Sequence, residues 1–333
     1  MARKVGVSIA TVSKAIGGKP DVSKETRKRV LKVAGELGFS PNASARALAR
    51  GRTDVLGVTL RNMNYLSGPY IGSIVSGIAE ISDQNGFGLL FAKTIANTGQ
   101  KYSEYIQFAK EKRFDGVFIM DQRARESDIR LFSEMNVPAV LVDRKISGNA
   151  LPTVCVNYRK AVCEAVSYLI GLGHHRIALI SPYFKVYEYK EKLAGYKDAL
   201  ESHGLSLDKQ LIPKSPEILA TDTLRQVVEM VEDLPAPPTA YMCLSDALTL
   251  PLFDVLTSRG LRVPEDVSFI GFDVFGSVNN GVFSLSLINI PGHDLGVYAC
   301  QLLLNLLKGK AAAKDVVLDA TFEPRKTCAS PGR

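Results

Sequence analysis

Across residues 54–330, short apolar runs alternate with longer stretches of helical periodicity, and this alternation constrains the fold more than any other feature. The strand-like runs are Val55–Leu60, Gly88–Ala92, Gly116–Met120, Ala139–Val142, Arg176–Ser181, Ala240–Leu244 and Val267–Gly271. Strands that alternate with helices form parallel sheets with right-handed crossovers. The sequence therefore predicts an α/β fold here, with ligand crevices at the carboxyl ends of the strands.

The first 52 residues carry all of the excess positive charge of the chain. They contain 12 lysines and arginines against 3 aspartates and glutamates, a net charge of +9, whereas the remaining residues hold 29 against 31, a net of −2. A charge run is often just a solvated face. Here the excess positive charge is confined to one short segment whose residue pattern is that of a folded domain. Such a charge distribution is typical of a surface that binds nucleic acid or another polyanion.

This basic segment has the pattern of a helix-turn-helix. Ser8 is suited to cap a helix that runs to Ile16, and Ser23 is suited to cap a second helix from Lys24 to about Leu37. Both helices have an apolar stripe at helical spacing. We predict an all-α helix-turn-helix DNA-binding domain over residues 1–40.

A third short helix is predicted over Ala43–Arg50, within a hinge helix and linker that span residues 41–53. Ser40-Pro41-Asn42 opens this helix, and Gly51 ends it. Its side chains are small, so it has little to bury by itself. It should form when a partner helix or DNA packs against it.

With these segments the sequence resembles the LacI/GalR family of bacterial repressors. Residues Gly6–Lys14 resemble the family's turn and recognition helix, Val22–Arg27 the start of its third helix, and Leu37–Ala43 the approach to its hinge helix. The residues Phe322-Glu323-Pro324-Arg325 extend the resemblance almost to the end of the chain. The resemblance implies a two-lobed, periplasmic-binding-protein-like effector domain over residues 54–330, with three crossings between the lobes.

We place these crossings near Pro152–Val156, Ser284–Asn289 and Ala312–Val317. Lobe 1 would then comprise about residues 54–152 and 285–312. Lobe 2 would comprise about residues 153–284 and 313–330.

The resemblance also implies roles for individual residues on DNA. Ile9, Ala10 and Lys14 occupy the family's base-reading positions, where Lys14 would donate to guanine and the apolar side chains would contact a thymine methyl group. Leu48 would wedge between base steps where two hinge helices enter the minor groove. The predicted DNA-binding residues, most of the others as phosphate contacts, are Ser8, Ile9, Ala10, Thr11, Ser13, Lys14, Ser23, Thr26, Asn42, Ala45, Arg46 and Leu48.

Candidate effector-binding residues follow the predicted strands. Asp143, Asp246 and Asp273 each come just after a strand, where a carboxylate could accept hydrogen bonds from two sugar hydroxyls. Each could equally be a helix cap or a turn residue. The aromatic candidates for stacking on a sugar ring are Tyr70, Phe184 and Phe275, and core packing would explain these equally well.

Lys192 is the remaining candidate, at a position where the family usually has arginine. Lysine lacks the planar bidentate fork of arginine. Asn157-Tyr158 likewise departs from the Asp-Asn pair that is usual after the first crossing. These departures suggest an effector that is unusual for the family.

Enzyme and metal signatures are absent from the sequence. It contains no complete G-x-G-x-x-G, no P-loop, no G-x-S-x-G, no H-E-x-x-H and no C-x-x-C. We therefore predict no catalytic residues, no metal ligands and no cofactor. No apolar run approaches the ~18 residues of a membrane span, and no apolar signal segment follows Met1. A bacterial cytoplasmic location, associated with the nucleoid through DNA, is expected.

The preferred hypothesis is thus a repressor controlled by a small-molecule effector, a sugar or sugar derivative. It would bind a pseudo-palindromic double-stranded DNA operator as a homodimer or a higher oligomer. A soluble sugar-binding protein without a DNA role is the alternative, but it leaves the basic segment unexplained. A doubly wound nucleotide-dependent enzyme is a third possibility, which the missing phosphate loops disfavour.

The stretch before Gly6 is scarcely more than one helical turn. So short a helix buries little, and the family has several more residues there. We expect that the native protein begins roughly ten residues earlier, about three helical turns, and that the first domain of the present chain is poorly anchored.

Overall fold

The structure is a computed structural model. It describes residues 1–17, 20–39, 47, 50–61, 63–95, 102–146, 148, 151–182, 186–213, 221–273, 284–310 and 315–332. The predicted hinge helix lies outside the described residues except for residues 47 and 50.

In its described residues the N-terminal domain contains three helices: α1 (Ala2–Val5), α2 (Ile9–Ile16) and α3 (Lys24–Glu36). A small apolar core, centred on Val5, Val12 and Val30, joins them. The Arg29 guanidinium donates a 2.6 Å hydrogen bond to the Val5 carbonyl oxygen and so links α3 to the end of α1. Gly6 turns the chain into α2 with a φ of +73°, a conformation that glycine adopts without a steric penalty. The predicted all-α helix-turn-helix is confirmed.

The first sheet has six strands in the order β10-β5-β4-β3-β1-β2, and all of its pairs are parallel. Its strands are β1 (Val55–Leu60), β2 (Gly88–Lys93), β3 (Gly116–Ile119), β4 (Ala139–Val142), β5 (Thr153–Asn157) and β10 (Asp315–Asp319). The helices of this half are α4 (Pro69–Gln84), α5 (Glu104–Lys110), α6 (Glu126–Glu134) and α11 (Gly292–Leu307). We call this sheet and its helices lobe 1.

The second sheet has five strands in the order β11-β9-β8-β7-β6. They are β6 (Ile177–Ile180), β7 (Ala240–Cys243), β8 (Ser268–Asp273), β9 (Ser286–Asn289) and β11 (Thr321–Glu323), and β11 pairs antiparallel with β9. The helices of this half are α7 (Tyr158–Gly171), α8 (Tyr187–Ser202), α9 (Thr221–Glu232) and α10 (Asp246–Ser258). We call this half lobe 2. The predicted α/β fold with two parallel sheets is confirmed.

The chain changes sheet one strand later than each predicted crossing. β5 and β10 pair with each other in the first sheet, with Thr153 opposite Asp315, and β9 pairs with β8 in the second. The chain therefore leaves lobe 1 after Asn157, leaves lobe 2 after Asn289, and leaves lobe 1 again at Ala320. An apolar run indicates a buried strand but does not specify which sheet it joins, because that choice depends on distant partners.

No helix in the described ranges is long and apolar enough to span a membrane.

Candidate effector cavity and nucleic-acid interface

A cavity of about 720 Å³ lies between the lobes, beside the carboxyl ends of β1, β3 and β4. Lobe 1 supplies most of the wall: Leu60, Arg61, Asn64, Ser67, Gly68, Tyr70, Ile71, Ile74, Met120, Asp121, Gln122, Arg123, Val142 and Asp143. Lobe 2 supplies Val186, Glu188, Asp246 and Ala247. The volume is that of a small-molecule site, and its position at the strand ends follows the rule for parallel sheets.

Asp143 is the centre of a buried hydrogen-bond network on this wall. Its Oδ2 accepts a 2.5 Å hydrogen bond from the Tyr70 hydroxyl and a 2.8 Å bond from the Tyr158 hydroxyl, and the two phenol oxygens lie 3.0 Å apart. The Gln122 side-chain amide donates to the main-chain oxygen of Asp143. Asp143 is 2% exposed and has a φ of +53°, which aspartate tolerates better than most residues.

Burial raises the pKa of the Asp143 carboxyl to about 7, because the charged form loses its hydration. The nearby negative charge of Glu188 raises it further, while the two tyrosine hydroxyls and Lys192 oppose the shift. Near neutral pH this carboxyl therefore exchanges between an acceptor and a donor of hydrogen bonds.

Lys192 lies behind the cavity wall and is 2% exposed. Its ammonium donates to Glu188 and, at 2.8 Å, to the Leu244 carbonyl oxygen. It also lies 4.6 Å from the centre of the Tyr158 ring and 4.1 Å from that of Phe272, within the range of cation–π attraction. Glu188 therefore lines the cavity, whereas Lys192, which was predicted to contact the effector, does not.

Only some of the other predicted effector contacts line the cavity. Tyr70, Asp143 and Asp246 line the cavity. Burial raises the pKa of Asp246 at the start of α10, opposed by Lys192 and by the main-chain N–H of Ala247. Asp273 ends β8, is 3% exposed, and is not part of the cavity wall. Phe184 and Phe275 lie outside the described residues.

Several residues of the cavity wall were not predicted from the sequence, notably Arg61, Gln122, Arg123 and Glu188. Arg61 directly follows β1, and Gln122 and Arg123 follow β3 within four residues, so the rule applied to the aspartates would have found them. Glu188, one helical turn before Lys192 on α8, had no such signal.

The helix-turn-helix presents a small exposed surface on α2. Ile9 is 81% exposed, and the neighbouring Ala10, Ser13 and Lys14 are also exposed. The Ile9 side chain is therefore open to contact by a partner.

The structure gives two of the predicted DNA-binding residues a role within the fold. Ser8 Oγ accepts a 3.0 Å hydrogen bond from the Thr11 main-chain N–H, and Ser23 Oγ accepts one of 3.2 Å from that of Thr26. Both serines are therefore N-caps of their helices, as predicted. Lys14 forms an exposed ion pair with Asp21 at 2.6 Å. The predicted DNA contacts Asn42, Ala45, Arg46 and Leu48 lie outside the described residues.

Comparison with known proteins matches two parts of the chain to known families. Residues 1–42 match the family described as bacterial regulatory proteins, lacI family, and residues 166–328 match the periplasmic binding protein-like domain. The HTH-type transcriptional regulator AscG of Escherichia coli strain K12 is 31% identical over 334 residues, which cover 100% of this chain and 98% of AscG. The chain belongs to the LacI family.

LacI-family proteins are DNA-binding transcriptional regulators and not enzymes, so the predicted function class and the prediction that the chain is not an enzyme are confirmed. Among solved structures, the lac repressor dimer bound to operator and the anti-inducer ONPF is similar with a TM-score of 0.82 at 24% identity, over 98% of this chain and 97% of that one. The CelR–cellobiose complex is similar with a TM-score of 0.73 at 24% identity, over 98% of both chains. These two likenesses show the shared fold.

Proposed function

We propose that this LacI-family regulator represses transcription as a homodimer on a pseudo-palindromic operator, in the bacterial cytoplasm, and that a carbohydrate in the cavity between the lobes controls it. The observation that carries the proposal is the cavity wall itself, which both lobes supply. A ligand that contacts both lobes binds one relative arrangement of them better than another. Such a ligand therefore shifts the lobes toward the arrangement that it prefers.

The polar groups of the wall suit a polyhydroxylated ligand. Carboxyl, amide, phenol and guanidinium groups project from the ends of three neighbouring strands and from α4. Hydroxyl groups both donate and accept hydrogen bonds, so a carbohydrate can satisfy such a mixed set. CelR, which has the same fold, was solved with a carbohydrate, cellobiose.

On the DNA side, we assign base reading to the exposed face of α2. Ile9 and Ala10 would contact thymine methyl groups, and Lys14 would donate to guanine. Lys14 must first leave Asp21, but an exposed ion pair of this kind contributes only ~0–1 kcal/mol. Thr11, Ser13, Thr26 and Asn42 are assigned to phosphates, and the hinge residues Ala45 and Arg46 to the minor-groove surface, where Leu48 would wedge between base steps.

Operator selection from random DNA, followed by gel shift at about 50 mM and about 200 mM salt, tests the DNA role. The affinity for DNA should fall by orders of magnitude from the lower to the higher salt concentration. Each phosphate contact adds about −0.9 to the slope of log affinity against log salt concentration. Lys14→Ala should relax base preference at one position in each half-site by ~1–3 kcal/mol, whereas Lys110→Ala, on α5 of lobe 1, should change neither the affinity nor the preference. A flat salt response would support the alternative, a sugar-binding protein without a DNA role.

Thermal-shift screening of the full chain against sugars tests the effector. A carbohydrate that stabilises the chain should also change operator affinity in the gel shift. Stabilisation by nucleobases and not by sugars would contradict the carbohydrate assignment.

A further inference from the structure

The Asp115 carboxylate joins lobe 1 to the chain that arrives from the DNA-binding domain. Asp115 directly precedes β3, and Thr53 and Asp54 are the last two residues before β1. Asp115 Oδ1 accepts hydrogen bonds from the Thr53 main-chain N–H at 2.7 Å and from the Thr53 hydroxyl at 2.9 Å. Its Oδ2 accepts one of 2.8 Å from the Asp54 main-chain N–H. Within the described ranges, every hydrogen bond and ion pair of this carboxylate goes to residues 52–54.

Main-chain contacts fix the residues on both sides of this junction. The Asp115 N–H donates a 2.8 Å hydrogen bond to the Val55 carbonyl oxygen, which sets the amino ends of β1 and β3 side by side. The Asp54 carbonyl oxygen accepts a 2.9 Å bond from the Gly88 N–H at the start of β2. Asp54 has a φ of +56°, which is uncommon outside glycine and persists where the surrounding contacts hold it. The chain therefore enters lobe 1 in one fixed direction.

The other contacts of this part of the chain are exposed ion pairs. Arg52 Nε lies 2.8 Å from Asp54 Oδ1 and 3.7 Å from Asp115 Oδ2, and its guanidinium lies 5.0 Å from the centre of the Phe87 ring. Arg50 pairs with Asp54 at 3.5 Å. Exposed ion pairs contribute little, whereas hydrogen bonds to an ionised acceptor are strong, and the Asp115 side chain is only 12% exposed. Asp115 therefore contributes more to this junction than the two arginines do.

The strands that meet the linker at one end line the effector cavity at the other end. β1 and β3 pair in parallel, so their carboxyl ends also lie side by side. Leu60 and Arg61 at the end of β1, and Met120 after β3, belong to the cavity wall. The six residues of β1 span about 20 Å. Two paired strands thus connect the cavity wall to the residues that Asp115 binds.

We propose that Asp115 is the positioning residue that makes the DNA-binding domain follow the movement of lobe 1. With the carboxylate in place, a rotation of lobe 1 rotates the start of the linker with it. In a homodimer, the directions of the two linkers set the spacing of the two helix-turn-helix domains, and this spacing must match that of the operator half-sites. Without the carboxylate the spacing is no longer fixed, although each domain can still contact phosphates. This inference rests on the proposed homodimeric repressor.

Asp115→Ala in the full chain tests this role by two measurements. Hydrogen exchange, read by mass spectrometry on a peptide that contains Thr53 and Asp54, should become at least about 10-fold faster, because these two N–H groups lose their acceptor. In gel shift, affinity for an operator selected from random DNA should fall at least about 10-fold, since the two domains are no longer preorganised. Affinity for random DNA of the same length should change less than about 2-fold, because phosphate contacts do not depend on the spacing.

Asp208→Ala is the matched control. Asp208 lies between α8 and α9 in lobe 2, and its carboxylate also accepts from a main-chain N–H and an arginine, those of Gln210 at 2.9 Å and Arg176 at 3.0 Å. This variant should lose comparable stability and keep the parent's operator affinity and its exchange at Thr53. Asp115→Asn is the second variant. It keeps the size of the side chain and one of the two oxygen acceptors, so both of its effects should be smaller than those of Asp115→Ala. It also serves the same test if Asp115→Ala fails to fold.

Three results would overturn the inference. Unchanged exchange at Thr53 and Asp54 would show that other contacts hold the linker. Equal losses on operator and random DNA, or the same loss of operator affinity in Asp208→Ala, would assign the effect to lost folding. A parent chain that binds operator and random DNA equally would contradict the proposed repressor, and the positioning role would fall with it. The exchange measurement would still show in that case whether Asp115 holds the linker.

Discussion

The Tyr158 hydroxyl donates a 2.8 Å hydrogen bond to Asp143 across the boundary between the two lobes. Asp143 follows β4 in lobe 1, and Tyr158 is the first residue of α7 in lobe 2. Tyr158 lies directly after the point where the chain first leaves lobe 1. A movement of the lobes that alters the cavity therefore acts on this bond.

Tyr158→Phe should weaken the coupling between effector binding and the relative arrangement of the two lobes. The variant keeps the ring beside Lys192 and Phe272 but removes the donor to Asp143. We expect a loss of ~1–3 kcal/mol in the free energy of unfolding and a changed effector affinity, measured by chemical denaturation and calorimetry.

Tyr196→Phe is the matched control for this variant. Tyr196 is equally buried, and its hydroxyl donates to the Ile177 carbonyl oxygen at 3.0 Å within lobe 2. It should lose comparable stability and bind effector as the parent chain does. Equal effector affinity in both variants would show that the bond between the lobes has no role in binding.

The contribution of Asp143 to stability should fall as the pH rises from about 4 to about 7. The folded pKa of Asp143 is raised to about 7, so the folded state binds a proton that the unfolded state has released. This contribution is complete below the unfolded pKa and is lost as the pH passes through the folded pKa. The raised pKa of Asp246 adds to the same slope.

Asp143→Asn should flatten this pH dependence, as measured by denaturation at intervals between about pH 4 and about pH 8. Asp266→Asn is the control. The pKa of Asp266 is lowered to about 2 by hydrogen bonds from Arg262, so this residue titrates below the window. An unchanged slope in Asp143→Asn would assign the effect to another group.

Ile9→Ala should weaken operator binding without lowering thermal stability. Ile9 is 81% exposed, so its truncation removes almost no packing in the free protein, while a lost base contact costs ~1–3 kcal/mol. Val12→Ala, on the same helix with Val12 9% exposed, should instead lower the melting temperature. Gel shift on operator and on random DNA separates the two effects. Equal losses on both DNAs for Ile9→Ala would make it a non-specific contact.

Gly77→Ala should destabilise lobe 1, because α4 and α11 pack in close contact there. A Cβ atom on Gly77 would lie 2.1 Å from the His293 carbonyl oxygen, and one on Gly296 would lie 2.0 Å from that of Ile74. Separating the helices should cost at least ~1–3 kcal/mol. Gly72→Ala, on the same helix, meets its nearest atom at 3.6 Å and should be neutral or stabilising, by up to ~1 kcal/mol of helix propensity. Denaturation midpoints that fall equally for both alanines would contradict close packing as the cause.

The amino-acid sequence by itself determined the parts of this protein that depend on near neighbours. Ser8 and Ser23 cap their helices because each side chain satisfies a main-chain N–H three residues away. The turn after α1 requires a positive φ at residue 6, and Gly6 can adopt it because glycine has no Cβ atom. Short apolar runs that alternate with segments of helical periodicity indicated parallel sheets, because this pattern also lies in residues close together in the chain. Charge segregation and helical spacing predicted a helix-turn-helix that binds a polyanion, and the resemblance to the LacI/GalR family implied that it is a transcriptional regulator.

The tertiary structure alone decided which distant residues meet. It placed β5 in the first sheet because β5 pairs with β10, more than 150 residues later in the chain. It turned Lys192 toward Glu188 and away from the cavity, and it joined Asp143 to Tyr158 across the lobes. These contacts depend on the packing of complete sheets and helices against one another. Because that packing acts between residues far apart in the chain, no local pattern of residues specifies it.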